Sequence, residues 1–503
     1  MQQSQSWSLL KKGEKRGKNL FLYLLIEFEK ERYSMDVIAI FGKFSEFINT
    51  FGSPIVIAII LFVICLAFKV KTKNAFMSAT FAGIGLMGFM WLINEYIPIV
   101  VPVVISMIEN TGINLPGIDV GWAAVAVVAY STEAGMIYLV LGTIFQLVLF
   151  LTRFTNVFQP SGVWDQYSYA IWGSMVYFVT KDLLLAVAFM LLLNLYVTIC
   201  YEALAKRWST YYGYQNCTIV QLHHGMGVPV AIFLNWLLNK CGAYKINWKP
   251  ERIREKFGFW GDPIVMGVMV GLVLGILGNL TNLGTMAGWG SIASVAIGTA
   301  ATMAIFPRVA AIFAQAFTYL ASASRTFSKD KNREEIYIGV DDASGYGETS
   351  TLLAGTLFIP IFIIMCIVVP GNLFLPVSTL VGFPFTFNVY SSLNNGNIFK
   401  SLISCTLAYI PGLILASPLF ATYTQIYNGV SGLEPIAAGA FAGNSFFMGM
   451  IQNLMMRSVF SWGWVALGVL FVAFWPLWFW FKKNKVKIVD WIEEQALMGS
   501  TSN

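Results

Sequence analysis

Only two histidines occur in the 503 residues, and they are adjacent: His223-His224, followed by Gly225-Met226-Gly227-Val228-Pro229. Imidazole both donates and accepts hydrogen bonds, which suits hydroxyl-bearing ligands, and an ionisable side chain in an apolar stretch marks a functional position. A lone histidine in such a place can also be a helix-to-helix hydrogen bond. A pair in a segment broken by glycine and proline fits a polar lining better. Carboxylates form the second group: Glu133, and then Asp341, Asp342 and Glu348 within Ile338–Thr349. A carboxylate accepts two hydrogen bonds at once, as a vicinal diol offers them. A solvated loop is the competing reading, more so for Asp342 than for Asp341. Asp119 stands three residues before Trp122, whose ring could stack on the carbon skeleton of a sugar or anchor the chain at a membrane interface.

Other chemistries are disfavoured by what the sequence does not contain. It has no Gly-x4-Gly-Lys-Ser/Thr phosphate loop, no His-Glu-x-x-His and no Gly-x-Ser-x-Gly, so neither ATP-driven pumping nor intramembrane hydrolysis is expected. Six scattered cysteines form no Cys-x-x-Cys pair, so no metal, redox site or cofactor is expected. The net charge of +6 comes from basic residues lying between apolar runs, which argues against a nucleic-acid partner.

The elements that would position these residues are membrane helices. The chain is 57% hydrophobic and 12% charged. Its apolar runs approach or exceed the ~20 residues a crossing needs. They are Ser53–Phe68, Ala75–Met107 (interrupted by Pro98 and Pro102), Val120–Leu151 and Ala170–Cys200, then Pro263–Leu280, Met286–Phe306, Ser350–Val369, Val377–Leu393, Leu402–Phe420 and Trp462–Phe481. Gly52-Ser53-Pro54-Ile55-Val56 and Gly261-Asp262-Pro263-Ile264-Val265 open two of them alike, which suggests a duplicated bundle. Gly213–Asn239 and Ser431–Met456 are apolar yet broken by glycine, proline and polar residues, so re-entrant hairpins or unwound helices are expected there. The fold class expected is an all-α polytopic membrane protein, an inverted repeat of about five helices each plus a final helix, with two re-entrant hairpins.

Charge sets an expected topology. Basic clusters at Lys69–Lys73, Arg153, Lys240–Lys256, Arg308–Arg333, Lys400 and Lys482–Lys487 share the cytoplasm if Met35 lies outside and the C-terminus inside. Lys206-Arg207 is the exception, placed outside. A leader over residues 1–34 with seven basic residues would violate the rule, and Lys30-Glu31-Arg32 can be encoded by a purine run resembling a ribosome-binding site, so translation is expected to start at Met35. The organisation expected is a first membrane repeat over 35–240, an amphipathic cytoplasmic linker over 241–261, a second repeat over 262–456, a last helix over 457–481 and a cytoplasmic tail over 482–503.

Several blocks in order carry a family resemblance: Ile118-Asp119-Val120-Gly121-Trp122, Leu151-Thr152-Arg153-Phe154-Thr155-Asn156-Val157, Lys256-Phe257-Gly258 with Gly261-Asp262-Pro263, Pro307-Arg308-Val309, Ile338-Gly339-Val340-Asp341, Val369-Pro370-Gly371-Asn372 with Leu375-Pro376, and Gly396-Asn397-Ile398-Phe399. From about Ser53 to Phe481 the chain resembles the galactitol-type enzyme IIC, the membrane permease of the bacterial sugar phosphotransferase system, and more distantly the ascorbate permease. The resemblance implies a homodimeric elevator-type permease in the bacterial inner membrane. It also implies that transport is coupled to phosphorylation of the solute by a cytoplasmic IIB phosphocysteine supplied through IIA, with no phosphoryl-carrying catalytic residue in this chain. By position it implies substrate-binding roles for His224, with His223 beside it, and for Asp341, Asp119 and Trp122, with Asn94 in the preceding helix. Ser168 and Glu348 stand where galactitol permeases tend to have histidine, which points to a polyol without fixing it as galactitol. The rival expectations are an ion-coupled secondary transporter with Glu133 or Glu348 carrying the proton, and a transport-like sensor or scaffold.

Overall fold

The computed structural model describes residues 50–111, 115–159, 163–330, 335–376, 382–431 and 433–499. The basic leader and Met35 lie outside the described residues. Two compact units, Met1–Val56 and Ile57–Asn503, make up the chain, and nearly everything described belongs to the second. Among the described residues seven helices are long and apolar enough to cross a membrane, or eight if the bent pair Pro250–Trp260 and Ile264–Gly278 forms one span. The protein is a helical, polytopic membrane protein, and the described residues add five short strands to the all-helical expectation.

After α1 (Ser53–Ala67), three helices pack as one group: α2 (Thr72–Thr111), α10 (Pro263–Gly278) and α11 (Met286–Asp330). Glycines bring their backbones together, since little hydrophobic drive separates helix from lipid and close packing must hold them. Gly85 and Gly88 on α2 face Phe313 and Val309, while Gly267, Gly271 and Gly275 on α10 face Ala300, Ala296 and Ile292. Pro98 and Pro102 do not interrupt α2 as expected, and the helix runs through both.

The rest of the first half is α3 (Gly121–Ser131), α4 (Glu133–Leu151), α5 (Val163–Thr180), α6 (Leu183–Tyr212), α7 (Leu222–Gly225) and α8 (Val228–Lys240). Two runs expected as single crossings are each broken. Extended Thr132 ends α3 and caps α4, accepting from Gly135 N at 3.1 Å. Lys181 takes a left-handed φ of 57°, and Asp182 caps α6 by accepting from Leu185 N at 2.9 Å. In the second half, α9 (Pro250–Phe257) precedes α10, and after α11 come α12 (Ala343–Tyr346), α13 (Thr349–Val368), α14 (Phe383–Leu393), α15 (Ile398–Ala416), α16 (Phe420–Asn428) and α17 (Met450–Leu497). The last helix is longer than the expected 457–481, since α17 kinks at Gly463 and then continues to Leu497.

α6 and the far part of α17 run parallel. Asp182 bonds Trp464 at 2.8 Å, Tyr196 bonds Leu470 O at 2.7 Å, Glu202 meets Lys482 and Lys485 at 2.7 Å, and Lys206 and Arg207 pair with Asp490 and Glu493 at 2.9 Å. This corrects the expected placement of Lys206-Arg207 opposite the C-terminus: both lie at the same end as the last turns of α17. The physical reason is the break at Lys181, which turns the run counted as one crossing into two helices.

The five strands join the halves of the chain. β1 (Gly117–Asp119) pairs in parallel with β5 (Phe441–Gly443). β4 (Tyr337–Val340) lies between β2 (Val157–Phe158) and β3 (Cys217–Ile219), again all parallel. Each sheet therefore pairs a strand from one half with a strand from the other.

Candidate functional site

Two of the strands, β3 and β5, lead directly into turning points of the chain. After Gly213 the chain doubles back along α6, and Tyr201 donates to Val220 O at 2.6 Å. Gly225 packs so closely on Val197 and Tyr201, near the middle of α6, that a Cβ would not fit. α8 then retraces the path, and Asn239 Nδ2 donates to Gln495 O at 2.9 Å beside the end of α17. In the second half, Gly412 leaves no room between α15 and the Met448 carbonyl, and Asn453 donates to Leu415 O at 3.1 Å. The segment between α16 and Gly463 thus also turns back partway along a long helix.

The two turning points touch. The His223 ring lies 4.4 Å from the Phe446 ring, and Tyr167 lies 5.1 Å from the same phenylalanine. On the other side of the histidines stands the loop after β4. His224 Nε2 is 2.8 Å from Asp342 Oδ2, and His223 Nε2 is 3.6 Å from that oxygen. Asp341, the residue expected to meet the ligand, accepts from Ala343 N at 2.9 Å and holds the turn that presents Asp342. Asn388 on α14 fixes that turn from behind, donating to Asp342 O at 2.8 Å. It packs so closely on Gly345 that only glycine fits there.

The first two turns of α5 support the histidines. Ser168 accepts from Leu222 N at 3.3 Å, and Gln221 donates to Asp165 Oδ1 at 2.8 Å. Two buried polar atoms beside this cluster have no protein partner among the described residues: His223 Nδ1 and Gln221 Oε1. Buried polar atoms are ordinarily hydrogen-bonded, so water or a hydroxylated ligand would complete them. The ligand atoms of His223, His224 and Asp342 lie within 4.8 Å of one another, a set that could hold a metal ion. The 2.8 Å contact of His224 with Asp342 is shorter than the separation that donors at ~2.0–2.1 Å from a zinc ion would keep. A hydrogen-bonded cluster describes the arrangement best.

The sequence profile of the PTS system sugar-specific permease component matches residues 46–434. The chain belongs to that family. It is 27% identical over 443 residues to a permease IIC component of Escherichia coli (strain K12), covering 85% of this chain and 95% of the relative. It is also 23% identical over 442 residues to the galactitol-specific EIIC component of the PTS system in the same strain, covering 86% and 95%.

The permease places its other candidate residues apart from the histidine cluster. Asp119 is buried at the end of β1 and accepts from Gly121 N at 3.0 Å, the same turn that Asp341 makes in the other half. Trp122 meets Phe385 edge-on at 6.4 Å, and Phe385 lies 4.5 Å from Tyr346 of α12, so the indole joins the loop after β4 through two rings. Glu348 spends both oxygens capping α13: Oε1 accepts from Ser350 N at 2.9 Å, and Oε2 from Thr351 N at 2.8 Å and from its hydroxyl at 2.7 Å. Asn94 is exposed on α2. Sequence reasoning passed over Asp165, Gln221 and Asn388 as site-builders, since isolated polar residues carry no spacing signal.

Proposed function

We propose that the permease is the IIC subunit of a polyol-specific phosphotransferase system, galactitol being the first solute to test. The observation that carries this reading is the meeting of His223 and His224 with Asp342, one contribution from each half of the chain, around polar atoms without protein partners. In this reading the paths 213–240 and 429–462 are re-entrant hairpins entering from opposite faces, and the halves form an inverted repeat. The cross-pairing of β1 with β5 and of β4 with β3 supports it, since exchanging the halves interchanges the two sheets.

The bundle containing the hairpins would move as an elevator against the group of α2, α10 and α11, within a homodimer. With the C-terminus cytoplasmic, Lys206-Arg207 joins the other basic clusters on the inside, so the positive-inside bias loses its exception. His224 and Asp342 would hydrogen-bond hydroxyls, His223 would add its free nitrogen, and Phe446 would pack on the carbon skeleton. Asp341 would position Asp342. A cytoplasmic IIB protein, charged through IIA, would phosphorylate the solute and trap it.

Proteoliposomes test the reading. With the soluble phosphotransfer proteins, IIA, IIB and phosphoenolpyruvate present, radiolabelled galactitol should appear as its phosphate. Accumulation of unmodified solute under a proton gradient alone would establish the ion-coupled rival. Solute binding with neither outcome would leave a sensor.

A further inference from the structure

The segment joining the halves, α9 and the turn after it, is not used by the solute site. We propose that it is a binding surface for anionic phospholipid headgroups. The register makes it amphipathic: Pro250, Ile253 and Phe257 share one face, and Ile253 on that face packs against the core. Phe257 is 56% exposed, and Phe259 and Trp260 in the following turn are 71% and 62% exposed. Arg254 and Lys256 are exposed among the polar positions. The apolar helix α10 begins directly after this turn, and its axis bends 74° from Pro250–Trp260. A segment nearly perpendicular to a crossing helix, at its very end, lies along the membrane surface. Its aromatic rings then enter the acyl boundary while the cations stay at headgroup level.

Charge selects the lipid. Between Lys240 and Trp260 six basic residues face two acidic ones, Glu251 and Glu255. The segment also lies at the end of the molecule that carries the tail of α17. Ile398 N donates to Trp248 O at 3.0 Å, Asn397 donates to Ile246 O at 2.6 Å, and the adjoining Asn239 bonds Gln495. That end carries most of the basic clusters, so it faces the leaflet where anionic lipid attracts polybasic segments. The inference stands whichever solute the permease carries.

Native mass spectrometry of the purified full chain tests it, with phosphatidylglycerol and phosphatidylcholine titrated separately. Phosphatidylglycerol adducts should persist at the lower lipid concentration. Arg254→Gln with Lys256→Gln should weaken them roughly 25-fold, about five-fold per cation, without changing the melting temperature. Phe259→Ser with Trp260→Ser should reduce retention of both lipids alike. Equal binding of the two lipids, or full phosphatidylglycerol binding by the Arg254/Lys256 variant, would overturn the proposal. Displacement of the lipid by excess inorganic phosphate would overturn it too, pointing to a soluble phosphorylated partner.

Discussion

The two sheets are built alike and equipped differently. After β1, Asp119 turns the chain by accepting from Gly121 N; after β4, Asp341 does the same with Ala343 N. Each strand pairs with one from the opposite half, and that partner leads to a turning point. Beyond β3 the turn carries His223 and His224, whereas beyond β5 it carries Phe446 and Phe447. The second half also has one acid more in its loop, Asp342, where the first continues with Val120. One backbone plan thus supplies hydrogen bonds from one sheet and ring surface from the other. A polyol needs both, because its hydroxyls must be paired and its carbon skeleton covered.

The strongest test of this asymmetry exchanges the two acids. Asp342→Asn removes the charge that both imidazoles face, and hydrogen bonds to charged groups contribute ~1.5–3 kcal/mol each. Galactitol affinity, measured by equilibrium binding to the purified permease, should fall about 100-fold. Asp119→Asn keeps a side-chain oxygen for Gly121 N and should change it less than about three-fold. Equal losses in the two variants would mean that both sheets bind solute directly.

A second test separates contact from support on the polar side. His224→Ala leaves Asp342 without its closest partner and should lower affinity at least about tenfold. Asp341→Ala should cost about tenfold as well, because it removes the acceptor for Ala343 N and the turn that aims Asp342 loosens. The two then differ on rescue: Asp341→Ser, which still accepts from Ala343 N, should recover much of the loss. If it does not, Asp341 touches the solute itself.

How much of this was legible in the sequence depends on the range of the contacts. The membrane helices were visible because each is a long local run. The histidines were visible because no others exist. Asp341 was preferred to Asp342 because neighbouring residues in a turn point in different directions, and the sequence does not record which points inward. The strands were invisible: at two to four residues they are too short for an alternation to register, and all their partners are distant. Glu348 read as a site residue because an acid in apolar surroundings invites it, yet the start of α13 claims both its oxygens.

On the apolar side the effect should be smaller. Phe446 packs on His223 and Tyr167, and aromatic pairs contribute ~0.5–1.5 kcal/mol beyond area burial. Phe446→Ala should therefore weaken galactitol roughly five-fold, and Phe446→Tyr should retain most of the affinity. A loss as large as that of Asp342→Asn would remove the division of labour between the sheets.

The smallest effect on binding is expected at a pair of positions that the comparison itself makes equivalent. Thr132 caps α4 after the short α3, and Glu348 caps α13 after the short α12. If Glu348 serves the helix and not the solute, Glu348→Thr should leave galactitol affinity unchanged, since threonine also caps. Glu348→Ala should lower stability by ~1 kcal/mol, the usual cost of losing a cap, read as a reduced melting temperature in detergent with affinity intact. A proton-coupled transporter using Glu348 would behave in the opposite way. Its stability would hardly change with threonine, while gradient-driven uptake would collapse in both variants.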